Sequence, residues 1–201
     1  MLIRSSSLFL LLFLLACSPQ ERHADKMVFN YNESAGVSSL DPAFSNNLEN
    51  IWWVSQIFSG LVELGSHQEI LPSIAESWEI SEDGMEYIFH LREDVLFHPH
   101  EALKPGRSVT AADFVYSFQR IMDPKTASPG LWIFDVMDSE KPFEAIDDLT
   151  MRMRLKRPFP PFLGMLTMTF CSVIPHEVVE FHGNEFRANP IGTGPFRMNF
   201  W

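Results

Sequence analysis

From Leu71 to His98 the chain reads LPSIAESWEISEDGMEYIFHLREDVLFH, and this stretch leaves little choice of local fold. Apolar residues alternate at Trp78 and Ile80, Asp83-Gly84 supplies a turn, and Tyr87, Phe89 and Leu91 alternate again with Glu86, Ile88, His90 and Arg92 between and beyond them. Two period-two runs joined by Asp-Gly make a β-hairpin. Side chains two apart in a strand share a face, so Tyr87, Phe89 and Leu91 enter a core together, a burial worth about 5 kcal/mol, while the other face is mostly polar. A second hairpin is expected at Phe143–Ile146 and Leu149–Leu155 around Asp147-Asp148, with Leu149, Met151, Met153 and Leu155 facing one way.

Apolar spacing predicts helices around the hairpins. From Leu48 to Ser59, Ile51, Val54, Phe58 and Leu61 recur at helical intervals with Gly60 as the stop, and Trp52 and Trp53 on this helix are assigned to core packing. Thr110-Ala111-Ala112-Asp113 has the chemistry of a helix start, and Phe114, Val115, Phe118, Ile121 and Met122 then share a face up to Pro124. Met27–Asn32 reads as a short buried strand, and Pro42 pushes Asp41 out of helical geometry into a turn. Asp123–Pro129 is a loop, and Trp132 beyond it is placed in the core. Arg157–Pro161 is a rigid turn, Phe162–Met168 a short helix, and Val173-Ile174-Pro175 an extended run into a helix from His176 to Gly183.

The 46% hydrophobic and 20% charged content of the 201 residues argues against disorder, and a net charge of -11 without a Lys/Arg cluster argues against a nucleic-acid partner. At the N-terminus Arg4 precedes the apolar run Leu8–Leu15, too short to span a bilayer, which reads as an export signal over residues 1–16. Leu14-Leu15-Ala16-Cys17 resembles a bacterial lipobox, which implies a lipidated Cys17 and attachment to a membrane by acyl chains. Residues 17–26 are polar and form a tether. With Cys17 consumed, Cys171 has no partner; among Phe170, Val173 and Ile174 it reads as a buried, inert thiol, and no disulfide is expected.

Candidate chemistry is sparse. His98, His100 and Glu101 offer metal-ligating side chains without an evident third partner, so a solvated loop is the expectation and metal at His98 and His100 the alternative. His176, Glu177 and His182 lack the spacing of a zinc protease. Asn189-Pro190-Ile191-Gly192-Thr193-Gly194-Pro195 is a glycine-rich turn and not a phosphate loop, for no Lys-Ser/Thr follows. No nucleophile, base and orienting group assemble from these motifs and no cofactor fingerprint is present, which points to a non-enzyme.

Taken in order, Leu40-Asp41-Pro42, Ala75-Glu76-Ser77-Trp78, the Asp-Gly hairpin with Phe97-His98, Val109–Phe114, Asp123–Pro129 and Asn189–Pro195 resemble the bacterial extracellular solute-binding proteins of family 5, the oligopeptide and dipeptide capture components of ABC importers. The resemblance implies a mixed α/β fold of the type II periplasmic-binding-protein kind. Residues 27–58 would begin lobe one, 59–185 form the small second domain, and 186–201 return to lobe one, the rest of which is missing. It also implies a lipid-anchored monomer outside the cell that traps small peptides between lobes and hands them to permease subunits. Nickel chelates, haem or sugars are the alternative ligands within the family, and a lipoprotein enzyme is the rival class. Carried over by position, ligand contact falls on Asn46, Asn47 and Leu48, and on Gly130, which stands where relatives carry an aromatic residue after Ser-Pro. A chain limited to one wall of the cleft is expected to bind peptide weakly by itself.

Overall fold

The computed structural model describes residues 30–32 and 35–200. The expected leader at 1–16, Cys17, the tether at 17–26 and the start of the Met27–Asn32 strand lie outside the described residues; residues 30–32 carry no regular structure. The strands are β1 (Val62–Leu64), β2 (Ile70–Pro72), β3 (Ala75–Ile80), β4 (Glu86–Leu91), β5 (Phe143–Ala145) and β6 (Thr150–Arg154). The helices are α1 (Leu48–Ile57), α2 (Ala111–Met122), α3 (Phe162–Met165) and α4 (His176–His182), joined by short 3-10 turns. Among the described residues no helix is long and apolar enough to cross a membrane.

Both expected hairpins form, and they share one antiparallel sheet of order β3-β4-β6-β5. Tyr87 pairs with Ile80 and Met153, Phe89 pairs with Trp78 and Met151, and Phe143 lies beside Met153. These rows put Tyr87, Phe89, Met151, Met153 and Phe143 on one buried face. The opposite face carries charge: Arg152 reaches Glu144 at 2.8 Å and Arg154 reaches Glu86 at 3.0 Å. Period two separates the two environments, as the spacing requires. Trp78 is half-buried and Ile80 exposed because β3 is an edge strand. The turn runs from Ser81 to Met85, with Gly84 at φ 68 and Asp83 accepting from the Met85 N–H at 3.0 Å.

Helix α2 begins where expected. Asp113 Oδ2 accepts from both the backbone N–H and the hydroxyl of Thr110, at 2.8 and 2.9 Å. The helix packs on β5 and β6 through Phe118, whose ring lies 5.4 Å from that of Phe143 and 5.2 Å from that of Phe134.

Three expectations need correction. Helix α1 ends at Ile57 rather than Ser59, because Phe58 turns extended and the following Gly60 bridges to Ser172; Gly60 is not the stop. Trp52 is half exposed at 50%, since α1 buries Asn50, Val54 and Ile57 instead. Trp132 is likewise exposed at 49%: the 3-10 turn Leu131–Phe134 sends Ile133 and Phe134 inward and leaves Leu131 and Trp132 outside.

Candidate functional site

Asn46–Leu48 and Gly130, the two places expected to meet a ligand, are far apart in the chain, and hydrogen bonds stitch their neighbourhoods together. Ser128 is buried; its hydroxyl donates to the Ala43 carbonyl at 2.6 Å and accepts from the Gly130 N–H at 3.1 Å. Thr169 in turn donates to the Ser45 hydroxyl at 2.8 Å. Gly130 itself is buried, and a Cβ there would lie 2.6 Å from the Phe170 ring. Glycine is required because the backbone rests on an aromatic face, and the accessible side chains are those of its neighbours Leu131 and Trp132.

The Asn46–Leu48 segment is open. Its three residues are exposed, Leu48 most of all at 80%. Asn47 is extended, at φ -130 and ψ 160, and its side chain is committed to capping α1 by accepting from the Asn50 N–H at 2.8 Å. The Asn46 N–H is also spent, on Phe44 O at 2.9 Å. Among the described residues the Asn46 carbonyl and the N–H groups of Asn47 and Leu48 take no protein partner, so the backbone around the extended Asn47 and the first turn of α1 offers both hydrogen-bonding types. Exposed Ile51 and Trp52 continue the apolar surface along α1.

The base under this surface is rigid. Asp41 is buried and caps the 3-10 turn Pro42–Phe44 by accepting from the Ala43 N–H at 3.0 Å. Arg120 of α2 meets the same carboxylate with two hydrogen bonds. The glycine-rich segment packs against the far end of α1: Gly194 N–H donates to Ile57 O at 2.8 Å and Phe196 N–H to Gln56 O at 3.0 Å. A Cβ on Gly192 would fall 2.2 Å from Ile57 O, so both glycines serve close backbone approach.

Metal-ligand geometry is absent from the proposed pair. The His98 ring donates from Nε2 to Gly194 O at 2.8 Å, whereas the His100 ring is engaged by the Ala102 N–H and by His182. The two rings serve separate contacts, and the loop is tied down rather than solvated. Asp113, His176 and Glu177 bring three ligand-type atoms within 4.8 Å of one another, but Arg107 already fills that place. Its guanidinium donates to Asp113 at 2.9 and 2.6 Å and to Glu177 at 3.0 Å, and the hydrogen bonds it gives to Asp113 raise its affinity for its own proton. Cys171 is fully buried, with its thiol directed at Met165 O at 3.7 Å, and burial pushes its ionisation far up.

The family model of bacterial extracellular solute-binding proteins, family 5 Middle, matches residues 69–201. The chain is 41% identical over 141 residues to di/tripeptide-binding protein 4 of Pseudomonas aeruginosa, covering 64% of this chain and 26% of that protein. It is 37% identical over 155 residues to heme-binding protein A of Haemophilus influenzae, covering 70% of this chain and 28% of the relative. The fold is similar to that of the periplasmic binding protein DppA from Helicobacter pylori in complex with the peptide STSA, with a TM-score of 0.72 at 34% identity over 82% of this chain and 35% of that one. The chain thus spans about a quarter to a third of the length of the relatives it matches.

Proposed function

Because the chain belongs to the bacterial extracellular solute-binding proteins of family 5, we propose that it is the capture component of a peptide ABC importer, contributing one wall of the ligand cleft. The observation that carries this reading is the exposed Asn46–Leu48 segment at the start of α1, where the Asn46 carbonyl and the N–H groups of Asn47 and Leu48 take no protein partner, tied through Ser128 to the turn that bears the exposed Leu131 and Trp132. A peptide is itself a strip of alternating N–H and C=O groups, so pairing with such backbone gives affinity that does not depend on side-chain sequence. Apolar surface nearby accepts varied side chains. Trp132 takes the place of the aromatic residue that the buried Gly130 cannot supply.

In this reading residues 27–58 open lobe one, 59–185 form the small second domain and 186–201 lead back to the first lobe. Cys17 carries the lipid that holds the protein, a monomer, at the outer face of a membrane beside its permease, and the protein performs no catalysis. A single wall leaves the ligand in contact with water, so each hydrogen bond contributes about 1 kcal/mol or less and this chain alone binds peptide weakly or not at all. The match to a heme-binding relative favours haem as the second candidate ligand.

The test is amide NMR of the chain titrated with mixed di- to pentapeptides at millimolar concentration, and separately with haem and with nickel-histidine. Peptides should shift Asn47, Leu48, Gly130 and the Trp132 indole. Micromolar affinity would overturn the one-wall reading, and shifts produced by haem or nickel-histidine but not by peptide would overturn the ligand class. Fatty-acid labelling that survives Cys17→Ala would dismiss the anchor.

A further inference from the structure

His100 and His182 are 82 positions apart in sequence, yet their Nε2 atoms lie 3.0 Å from each other. His182 is the last residue of α4, and Gly183 behind it turns the chain at φ 53. The Nδ1 atom of His100 faces the Ala102 N–H at 3.1 Å. An N–H aimed at Nδ1 requires a lone pair there, so the proton of a neutral His100 sits on Nε2. That proton donates to His182 Nε2, which must also be bare. The three groups therefore form a one-way chain, from the Ala102 N–H through His100 to His182. The same polarity disfavours a metal ion between the rings, since the His100 Nε2 lone pair is already occupied by hydrogen.

We propose that His100 and His182 form a proton-sensing latch that holds the 98–103 loop on the end of α4 when both rings are neutral and releases it on acidification. A second proton on His100 goes to Nδ1 and confronts the Ala102 N–H. A second proton on His182 goes to Nε2 and confronts the His100 N–H. No singly protonated arrangement keeps both hydrogen bonds: the first proton costs the bond from Ala102 while an inter-ring bond can persist, and when both rings are charged two N–H donors face each other and the rings part. Phe181 packs edge-on to both rings, at 5.5 Å from His100 and 4.9 Å from His182, and gives a charged imidazole no hydrogen bond.

The charged neighbours are few. Glu101 on the same loop favours a charged His100, whereas burial and His182 oppose it, and the balance lowers the pKa of His100. Arg197 lines the same surface pocket as His100 and adds a further positive charge. On α4 and the turn after it, Glu180 and Glu185 flank His182 in the chain, and Arg187 pairs with Glu185 at 3.8 Å. At the start of α4, Arg107 and Glu177 are paired with each other. Lys104 follows on the loop and is exposed.

The latch is coupled to the rest of the molecule through His98, two residues before His100. The His98 N–H donates to Gly192 O at 2.9 Å and its ring to Gly194 O, the segment that abuts the end of α1. Releasing the loop loosens that clamp. Any effect on ligand rests on the peptide-binding reading, whereas the latch itself does not.

The sign follows from the lowered pKa. The neutral pair stabilises the fold above the ordinary histidine range, and that contribution is lost as pH falls through the folded-state value. The test is imidazole nitrogen NMR on the full chain in EDTA from pH 8 to 5, with hydrogen exchange of the Ala102 amide. At pH 8 His100 should show the Nε2–H tautomer, and as pH falls from the ordinary histidine range through the lower folded-state value the protection of Ala102, corrected for intrinsic rate, should fall about fivefold, as for one net hydrogen bond. His182→Gln keeps an acceptor but cannot titrate, and should move the His100 titration upward. An Nδ1–H tautomer at pH 8, protection of Ala102 indifferent to pH, or an unmoved His100 in His182→Gln would each overturn the latch. The tautomer is read in the unsubstituted chain, so a variant that fails to fold does not spare the proposal. Since no ligand is present, failure here leaves the peptide reading untouched, and failure of peptide binding leaves the latch standing.

Discussion

Arg120 grips Asp41 with two hydrogen bonds, of 3.0 and 2.6 Å, between a helix and a turn 79 residues apart. The carboxylate is 2% exposed and the guanidinium also lies 5.8 Å from the centre of the Phe186 ring. Leu40 N–H adds a bond to Arg187 O at 2.8 Å, so the turn under the proposed binding surface is held from two sides. Arg120→Ala strands a buried negative charge and should cost about 3–5 kcal/mol. Asp41→Asn leaves the Arg120 guanidinium without its carboxylate, but at 15% exposure that side chain still reaches water, so this variant should cost less. Urea unfolding of the two variants checks the order.

Gly192 and Gly36 should respond differently to alanine. At Gly192 the new methyl meets the Ile57 carbonyl at 2.2 Å, backbone against backbone, and the expected loss is about 3 kcal/mol. Gly36 has φ +73 and nothing within 4 Å, so only the left-handed conformation opposes the substitution, at about 1–2 kcal/mol. Thermal unfolding of both variants distinguishes crowding from conformational strain.

Trp132 separates stability from binding. Being half exposed, it should be replaceable by alanine with a stability change within about 0.5 kcal/mol, while the peptide-induced shifts at Leu48 and Gly130 weaken. A large loss of stability in Trp132→Ala would show the side chain to be structural.

Cys171 should be inert in the folded chain. In a Cys17→Ser background, a thiol reagent at pH 8 should leave the native protein unmodified and label one thiol after urea is added. Burial holds the thiol protonated, and no path leads a reagent to its sulfur.

Acid should loosen the turns. The Ser81 hydroxyl and then the Met85 N–H hold Asp83 below the usual carboxylate range, as the Lys141 and Glu140 N–H groups do for Asp138 and the Leu149 N–H for Asp147. Depressed folded-state values mean that this support is complete above the ordinary carboxylate pKa near 3.8 and disappears as pH falls through the lower folded values. Asp138→Asn should flatten the fall of the urea midpoint below about pH 4, which a series of unfolding curves would measure.

Both hairpins, the buried row of Tyr87, Phe89 and Leu91, the start of α2 at Thr110 and the end of α4 at Gly183 were legible in the residues. Each depends on neighbours a few positions apart, where backbone geometry converts spacing directly into direction. The burial of Trp52 and Trp132 was misread. Whether an aromatic on a short helix or turn is covered depends on what packs over it, and periodicity is silent about that. The place of Asn46–Leu48 came from resemblance alone, and which of its backbone groups lack a partner was visible only once α1 had a defined start.

By itself, then, the order of residues determined the strands, their inward faces, the helix caps and the family, because those rest on short-range stereochemistry and on motifs in series. Only tertiary structure decided that Asp41 would meet Arg120, that Ser128 would tie Gly130 to the Ala43 turn, and that His100 would find His182 rather than His98 as its partner. Such pairs are chosen when separate elements pack, and a buried polar group then takes whichever complementary group the packing brings within reach.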